Sequence, residues 1–211
     1  IRAACYQAIG KLDEAVKNFE KALDIKPDYA EAQYNLGVTF RELGEIDAAV
    51  KSYEKALAIK HAYPDAHNNL GNIFLELHQL DAAADHFEWA VAFKPDFAEA
   101  YNNLGIAQQE RNQRHEAIKN FEKAVAIKND YVQGHSNLGN ALQYIDQVDA
   151  AVKCYEKALA INPNYAQAHL NLGLIHQERG QVDDSVKCYE KAVAINPNYA
   201  EAYYNLSAIK Q

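Results

Sequence analysis

The chain has 211 residues, of which 49% are hydrophobic and 24% charged, and its net charge is −8. This composition is typical of a folded protein and excludes a disordered chain. No apolar run reaches the roughly 18 residues that a membrane span needs, and the acidic balance disfavours phosphate backbones as ligands. We therefore expect no membrane insertion and no nucleic-acid partner.

A 34-residue period organises the chain. Asn-Leu-Gly or Asn-Leu-Ser begins at each of six equally spaced positions, Asn35, Asn69, Asn103, Asn137, Asn171 and Asn205. Each unit contains two stretches with apolar residues three and four apart, which predicts two amphipathic helices. We expect a single array with full units at 30–63, 64–97, 98–131, 132–165 and 166–199, a partial unit at 1–29, and the first helix of a later unit at 200–211.

The predicted elements follow one order in every unit. In the unit 30–63, Asp28 and Glu31 form the pattern of an N-cap with a capping box before the first helix. A turn is expected at Gly44, and Asp47 opens the second helix. Prolines end the preceding second helices, at Pro27, Pro95, Pro163 and Pro197. In the unit 64–97 the proline is shifted to Pro64, a position tolerated in a first turn.

Small and large residues alternate between the two helices. One column contains Gly37, Gly71, Gly105, Gly139 and Gly173; a second contains Ala22, Ala56, Ala90, Ala124, Ala158 and Ala192. A column of rings contains Phe19, Tyr53, Phe87, Phe121, Tyr155 and Tyr189. This alternation predicts closely packed, interdigitated helix pairs.

Three kinds of residues could carry chemistry or mark a contact. His67, His135 and His169 lack the spacing of a metal motif, so we expect packed, hydrogen-bonded rings rather than ligands. Cys5, Cys154 and Cys188 are expected to be free thiols in a reducing compartment, which predicts a cytoplasmic location. Trp89 replaces the lysine of other units and is expected on the outer surface. No catalytic motif is present, so we predict neither an enzyme nor a cofactor.

The series Leu36, Gly37, Phe40, Ala49 and Tyr53 resembles the tetratricopeptide-repeat (TPR) motif, and the resemblance covers essentially the whole chain. The leading Trp of that motif is replaced here by Gln33, His67, Tyr101, His135, His169 and Tyr203. The resemblance implies an all-α, right-handed superhelical solenoid of stacked antiparallel helix pairs. It also implies a protein-binding scaffold in which the first helix of each unit lines a concave groove.

The six asparagines would then form one line along that groove, which is similar to the asparagine ladder of the O-GlcNAc transferase repeat domain. Packed helices lie about 10 Å apart, and an extended peptide rises about 3.3 Å per residue. One carboxamide would therefore meet a bound peptide backbone at about every third residue. The alternative is structural: each asparagine binds the neighbouring helix and sets the pitch of the array.

The charged residues of the groove predict which net charge a bound protein segment should have. Glu42, Glu76 and Glu110 are expected near the ends of first helices, with Arg41 as the main cation. The lysines and arginines with which co-chaperones of this family hold acidic tails are absent. We expect a neutral-to-basic, extended protein segment as the partner.

Three hypotheses remain open at this stage. The first is a scaffold that binds an extended peptide segment. The second is the recognition arm of a larger enzyme, of glycosyltransferase or sulfotransferase type, whose catalytic domain lies outside this chain. The third is a self-assembling array, which is suggested by an exposed face of Tyr203, Tyr204 and Leu206 on the terminal helix.

Overall fold

The computed structural model describes residues 11–209, all of whose regular elements are α-helices. The helices are α1 Leu12–Ile25, α2 Ala30–Glu42, α3 Ile46–Ile59, α4 Pro64–Glu76, α5 Leu80–Phe93, α6 Ala98–Glu110, α7 Arg114–Ile127, α8 Val132–Gln143, α9 Val148–Ile161, α10 Ala166–Glu178, α11 Val182–Ile195 and α12 Ala200–Ile209. Even-numbered helices are the first helices of the predicted units, and odd-numbered helices are the second. The predicted all-α class is confirmed, whereas Cys5 lies outside the described residues.

The chain divides into two compact units, residues 1–107 and residues 108–211, with the boundary inside α6. In unit 1, α2 packs on α3 and α4 packs on α5. In unit 2, α8 packs on α9 and α10 packs on α11. Each unit is thus a stack of helix pairs in an α-solenoid, and its core lies between the two helix layers.

The ends of the helices follow the proline and glycine pattern. α1 ends at Ile25, two residues before Pro27, and Pro64 is the first residue of α4. Gly44 lies in the turn between α2 and α3 with φ +78°, a left-handed conformation that glycine adopts without steric cost. Backbone at this turn is left-handed in later units as well, where His78, Asn112, Asp146 and Gly180 have φ between 54° and 70°.

The capping-box prediction at Asp28 is wrong. The N-cap of α2 is Tyr29, and no side chain caps this terminus. The backbone N–H groups of Ala32 and Gln33 instead bond the carbonyl of Tyr29. Glu31 lies in the first turn, where its carboxylate is placed to interact with the positive end of the helix dipole.

The predicted alternation of small and large residues is the packing principle of the core. A Cβ atom added at Gly37, Gly71, Gly139 or Gly173 would lie 2.5–2.8 Å from a ring carbon of the aromatic residue sixteen positions later. Those rings, Tyr53, Phe87, Tyr155 and Tyr189, are fully buried. The glycines therefore let a ring lie directly against the backbone of the first helix. Five residues of the alanine column, Ala56, Ala90, Ala124, Ala158 and Ala192, are 0% exposed.

The terminal helix α12 differs from its prediction at one residue. Tyr203 and Tyr204 are exposed, as expected. Leu206 is buried, because it packs into a cluster with Leu170 and Tyr189. The apolar face left on α12 is therefore smaller than the sequence suggested and consists of two tyrosines.

Candidate functional site

The asparagine ladder starts in unit 1 as a set of ties between successive first helices. Nδ2 of Asn69 on α4 donates to Oη of Tyr34 on α2 at 3.1 Å. Nδ2 of Asn103 on α6 donates to Oδ1 of Asn68 at 3.1 Å and to Oδ1 of Asn72 at 2.9 Å, both on α4. Both amide hydrogens of Asn103 are thus used within the protein, while Oδ1 retains acceptor capacity because a carbonyl oxygen has two lone pairs.

The ladder in unit 2 is part of a longer hydrogen-bonded chain. Nδ2 of Asn171 on α10 donates to Oδ1 of Asn140 on α8 at 2.7 Å, and Oη of Tyr155 donates to the same oxygen at 2.6 Å. Nε2 of Gln167 donates to Oδ1 of Asn171 at 3.1 Å, and Oη of Tyr199 donates to Oε1 of Gln167 at 2.5 Å. This chain fixes the orientation of several carboxamides on the first-helix face.

Asn205 has a different environment from Asn171, although both are ladder residues in unit 2. Its Nδ2 is buried and has no hydrogen-bond partner among the residues described. The residue 31 positions earlier is Leu174, whereas the same interval takes Asn171 to Asn140. An aliphatic side chain provides no acceptor, which explains the unpaired donor. Asn35 and Asn137 are half-buried on α2 and α8.

A cleft of about 590 Å³ opens on the first-helix face of unit 2, mainly between α8 and α10. Its lining is rich in carboxamides and has two carboxylates, and comprises Gln109, Asn140, Gln143, Tyr144, Asp146, Val148, Gln167, Asn171, Leu174 and Glu178. Oε1 of Gln143 is a second, longer acceptor, at 3.2 Å, for the single hydroxyl hydrogen that Tyr155 also directs at Asn140, so the amide nitrogen of Gln143 is the group left to meet a ligand. Tyr144 is 64% exposed at the end of α8.

Sequence reasoning missed Asn140, Gln143 and Gln167 as groove residues. Asn140 follows the ladder residue Asn137 by three positions, and Gln167 precedes Asn171 by four. Residues three or four apart share a helix face. The helical spacing around each ladder asparagine was therefore the signal that could have identified these residues.

Some of the predicted groove charges are neutralised by ion pairs within the chain. Nη2 of Arg41 lies 2.5 Å from Oε1 of Glu76, so the expected cation and one expected acid form an ion pair. In unit 2, Arg179 pairs with Asp149 at 2.6 Å. Glu42 and Glu110 are exposed near the ends of α2 and α6.

The three histidines at the motif's Trp position share one contact. Each ring lies within hydrogen-bonding distance of the backbone carbonyl six residues earlier: His67 to His61 at 3.1 Å, His135 to Asn129 at 3.0 Å, and His169 to Pro163 at 2.9 Å. Because a carbonyl only accepts, Nε2 carries the proton in each case. The prediction of packed, hydrogen-bonded histidines is confirmed.

Among residues 11–209, His67 has a second hydrogen-bond partner that His135 and His169 do not have. Its Nδ1 lies 2.9 Å from Nδ1 of His86 on α5. With the proton of His67 on Nε2, His86 must donate from Nδ1. Burial, reinforced by the neighbouring His86, lowers the pKa of His67 to about 4. Burial also lowers the pKa of His86, and Asp85 opposes that shift.

Other reactive groups form no constellation in the described part of the chain. Cys154 and Cys188 are free thiols, as predicted, and burial raises the pKa of both. Among residues 11–209, no three His, Cys, Asp or Glu side chains are arranged to hold a metal ion. Over the same residues, no helix combines the length and apolarity that crossing a membrane requires.

Comparison with known proteins identifies the repeat. A family model described as "TPR repeat" matches residues 5–41, 39–77, 71–111, 110–144, 146–180 and 175–210. No curated protein sequence matches the chain.

Solved structures share the fold. MamA is 26% identical over 78% of this chain and 96% of its own, with a TM-score of 0.71. YrrB, described as a TPR protein with an unusual peptide-binding site, is 21% identical over 92% of this chain and 98% of its own, with a TM-score of 0.74. PilF of Pseudomonas aeruginosa is 20% identical over 98% of this chain and 94% of its own, with a TM-score of 0.85. The match to the TPR-repeat family, together with this shared fold, supports a protein–protein interaction scaffold.

Proposed function

Because this chain belongs to the TPR-repeat family, we propose that it is a scaffold whose first-helix face binds an extended segment of a partner protein. The observation that carries the proposal is the carboxamide-lined cleft between α8 and α10. Carboxamides offer both donors and acceptors. They therefore suit the repeating N–H and C=O groups of a peptide backbone without selecting its side chains.

The orientation of the cleft amides indicates which of their groups are available to donate hydrogen bonds to a ligand and which to accept them. Asn140 uses its oxygen to accept from Asn171 and Tyr155, which leaves its two amide hydrogens for a ligand. The amide nitrogen of Gln143 adds further donors. The cleft therefore presents mainly N–H groups beside Asn140 and Gln143, and peptide carbonyls are the complementary groups.

The ladder residues have two roles in this proposal. Asn69, Asn103 and Asn171 tie neighbouring first helices together through Nδ2. The oxygen of each retains a lone pair, and this is the group that we assign to the ligand's N–H donors. Asn35, Asn137 and Asn205 complete the proposed contact line along the first helices.

The charge at the rim favours a neutral-to-basic segment. Asp146 and Glu178 line the same cleft and are exposed. YrrB has a peptide-binding site on the same fold, which supports a peptide ligand here. The exposed Tyr203 and Tyr204 are a second candidate contact, in which copies of the chain would associate through α12.

The test begins with peptide-library capture on the purified chain, followed by affinity measurements on the best binder. Gln143→Ala combined with Glu178→Gln should weaken binding about tenfold, because each lost hydrogen bond contributes about 0.5–1.5 kcal/mol. The melting temperature should be unchanged, since Tyr155 still donates to Asn140. Unchanged affinity in this double variant would contradict binding in the cleft.

The matched control removes charged side chains from exposed positions on second helices. Lys119→Ala with Lys153→Ala changes two residues of α7 and α9, outside the cleft lining. Affinity for the captured peptide should stay within twofold of the wild type. A solution mass that rises with concentration, and falls in Tyr204→Ser, would support association through α12 instead.

A further inference from the structure

The second helix α5 departs from the pattern of its equivalents. At the position of Trp89 the other second helices have lysine, namely Lys21, Lys55, Lys123, Lys157 and Lys191. At the position of Asp85 they also have lysine, namely Lys17, Lys51, Lys119, Lys153 and Lys187. As a result α5 contains three acids, Asp81, Asp85 and Glu88, and no lysine or arginine.

The ring of Trp89 is exposed but held in place. Its side chain is 47% exposed. It stacks on Phe93, one turn later, with centroids 5.5 Å apart and an interplanar angle of 17°. His61, from the loop after α3, meets the indole edge-on at 5.0 Å. An aromatic side chain fixed in this way loses little conformational freedom when a partner binds.

Carboxylates lie beside this ring. Asp85 precedes Trp89 by four residues, so the two side chains share a helix face. Glu88 directly precedes Trp89, so its side chain lies about 100° around the helix from the ring, at the edge of this face; both acids are exposed. In α9 the equivalent glutamate, Glu156, is followed by Lys157, which balances its charge locally. No such lysine follows Glu88, so α5 itself supplies no cation to balance the acids next to its exposed aromatic face.

We propose that Trp89, Asp85 and Glu88, here called the Trp89 surface, dock an arginine-bearing segment of a partner protein. A guanidinium stacks on an indole face through cation–π attraction. It also forms a fork of donors that matches a carboxylate. Lysine at the equivalent positions would repel such a segment. The Trp89 surface is therefore suited to basic partners in a way that the other second helices are not.

This surface is independent of the cleft proposed for unit 2. It lies on a second helix of unit 1, whereas the cleft lies on first helices of unit 2. The cleft is proposed to bind an extended peptide backbone, whereas the Trp89 surface contacts a single arginine side chain and does not require an extended segment. The two proposals therefore fail or succeed separately.

The probe for tryptophan emission is unlabelled hexa-arginine, with hexa-glutamate as the control of opposite charge; a fluorescein label is used only for the anisotropy measurements. The chain contains one tryptophan, so its fluorescence reports on this surface alone. Hexa-arginine should change the Trp89 emission saturably, and hexa-glutamate should not. An emission unaffected by saturating hexa-arginine would overturn the proposal without any variant.

Variants then distinguish the contribution of the Trp89 ring from a general effect of charge. The affinity of each variant is measured from the fluorescence anisotropy of labelled hexa-arginine. Trp89→Lys, which restores the residue of the other units, should weaken hexa-arginine binding at least tenfold, and Trp89→Phe should weaken it two- to fivefold. Ala160→Lys adds the same charge at an exposed position of α9 and should change affinity less than twofold. Equal losses in Trp89→Lys and Ala160→Lys would overturn the proposal.

A final variant separates this surface from the cleft. Gln143→Ala with Glu178→Gln should leave the Trp89 emission change intact. Loss of that change in the cleft variant would contradict the assignment to Trp89.

Discussion

Units 1 and 2 build the same helix pair and then use it differently. In both, the histidine at the motif's Trp position donates to the carbonyl six residues earlier, at 3.1 Å for His67 and 2.9 Å for His169. Within the described part of the chain, a second histidine meets this ring in unit 1 alone, where Nδ1 of His86 lies 2.9 Å from Nδ1 of His67. The equivalent position in the pair of His169 is Cys188, a half-buried thiol. The repeated backbone thus reproduces the hydrogen bond to the carbonyl in both units. The residue nineteen positions later, His86 or Cys188, decides whether the ring has a second hydrogen-bond partner.

The largest expected effect tests what the two units share. Ala90→Leu in unit 1 and Ala158→Leu in unit 2 add bulk at positions that are 0% exposed. Each should lower the free energy of unfolding by about 1–3 kcal/mol through overpacking, as measured by urea denaturation. The matched controls, Ala92→Leu and Ala160→Leu, change exposed alanines two residues later on the same helices and should cost little. A cost confined to one unit would show that the alanine columns do not pack alike.

The second prediction concerns a difference between the two units, the pair of His67 and His86 in unit 1. An unfolded histidine has a pKa of about 6.5, whereas that of folded His67 is about 4. The unfolded chain therefore binds more protons between these values, and stability falls as pH decreases from 6.5 to about 4. The loss should be about 1–3 kcal/mol. Urea denaturation at several pH values measures it.

His67→Gln provides the matched variant, because Gln33 occupies the equivalent position in α2 and is buried. The variant should lose less stability over this pH range than the wild type. His115→Gln, at an exposed position of α7, should keep the full pH dependence. If His67→Gln and the wild type respond alike, the pH dependence originates elsewhere.

The smallest predicted effect on stability differs between two ladder positions of unit 2. Asn171→Ala removes a donor to Asn140 and should cost about 1 kcal/mol. Asn205→Ala removes a buried, unpaired Nδ2 and should leave stability equal or slightly higher. Asn103→Ala in unit 1 leaves the oxygens of Asn68 and Asn72 without this donor and should resemble Asn171→Ala. Thermal unfolding of the three variants decides between structural ties and side chains free for a ligand.

Much of the helical framework was readable in the sequence because its signals are local or periodic. The interval of 34 residues, the prolines after α1, α5, α9 and α11 and the Gly44 turn depend on backbone preferences that act within a few residues. The glycine and aromatic columns predicted close packing, and the structure agrees, since a Cβ atom added at Gly173 would lie 2.5 Å from a ring carbon of Tyr189. The cap at Asp28 was wrong because the N-cap position of α2 is Tyr29, one residue later, so that Asp28 lies outside the helix terminus.

Only the tertiary structure decided which polar atoms meet. The sequence placed Asn171 and Asn205 in one column as equals, yet Asn140 accepts from one, while Leu174 occupies the matching place before the other. The sequence also counted Arg41 and Glu76 as separate groove charges, and the fold joins them in an ion pair. Hydrogen bonds and ion pairs depend on partners some 30 residues away at distances near 3 Å, and a local pattern holds no information about them.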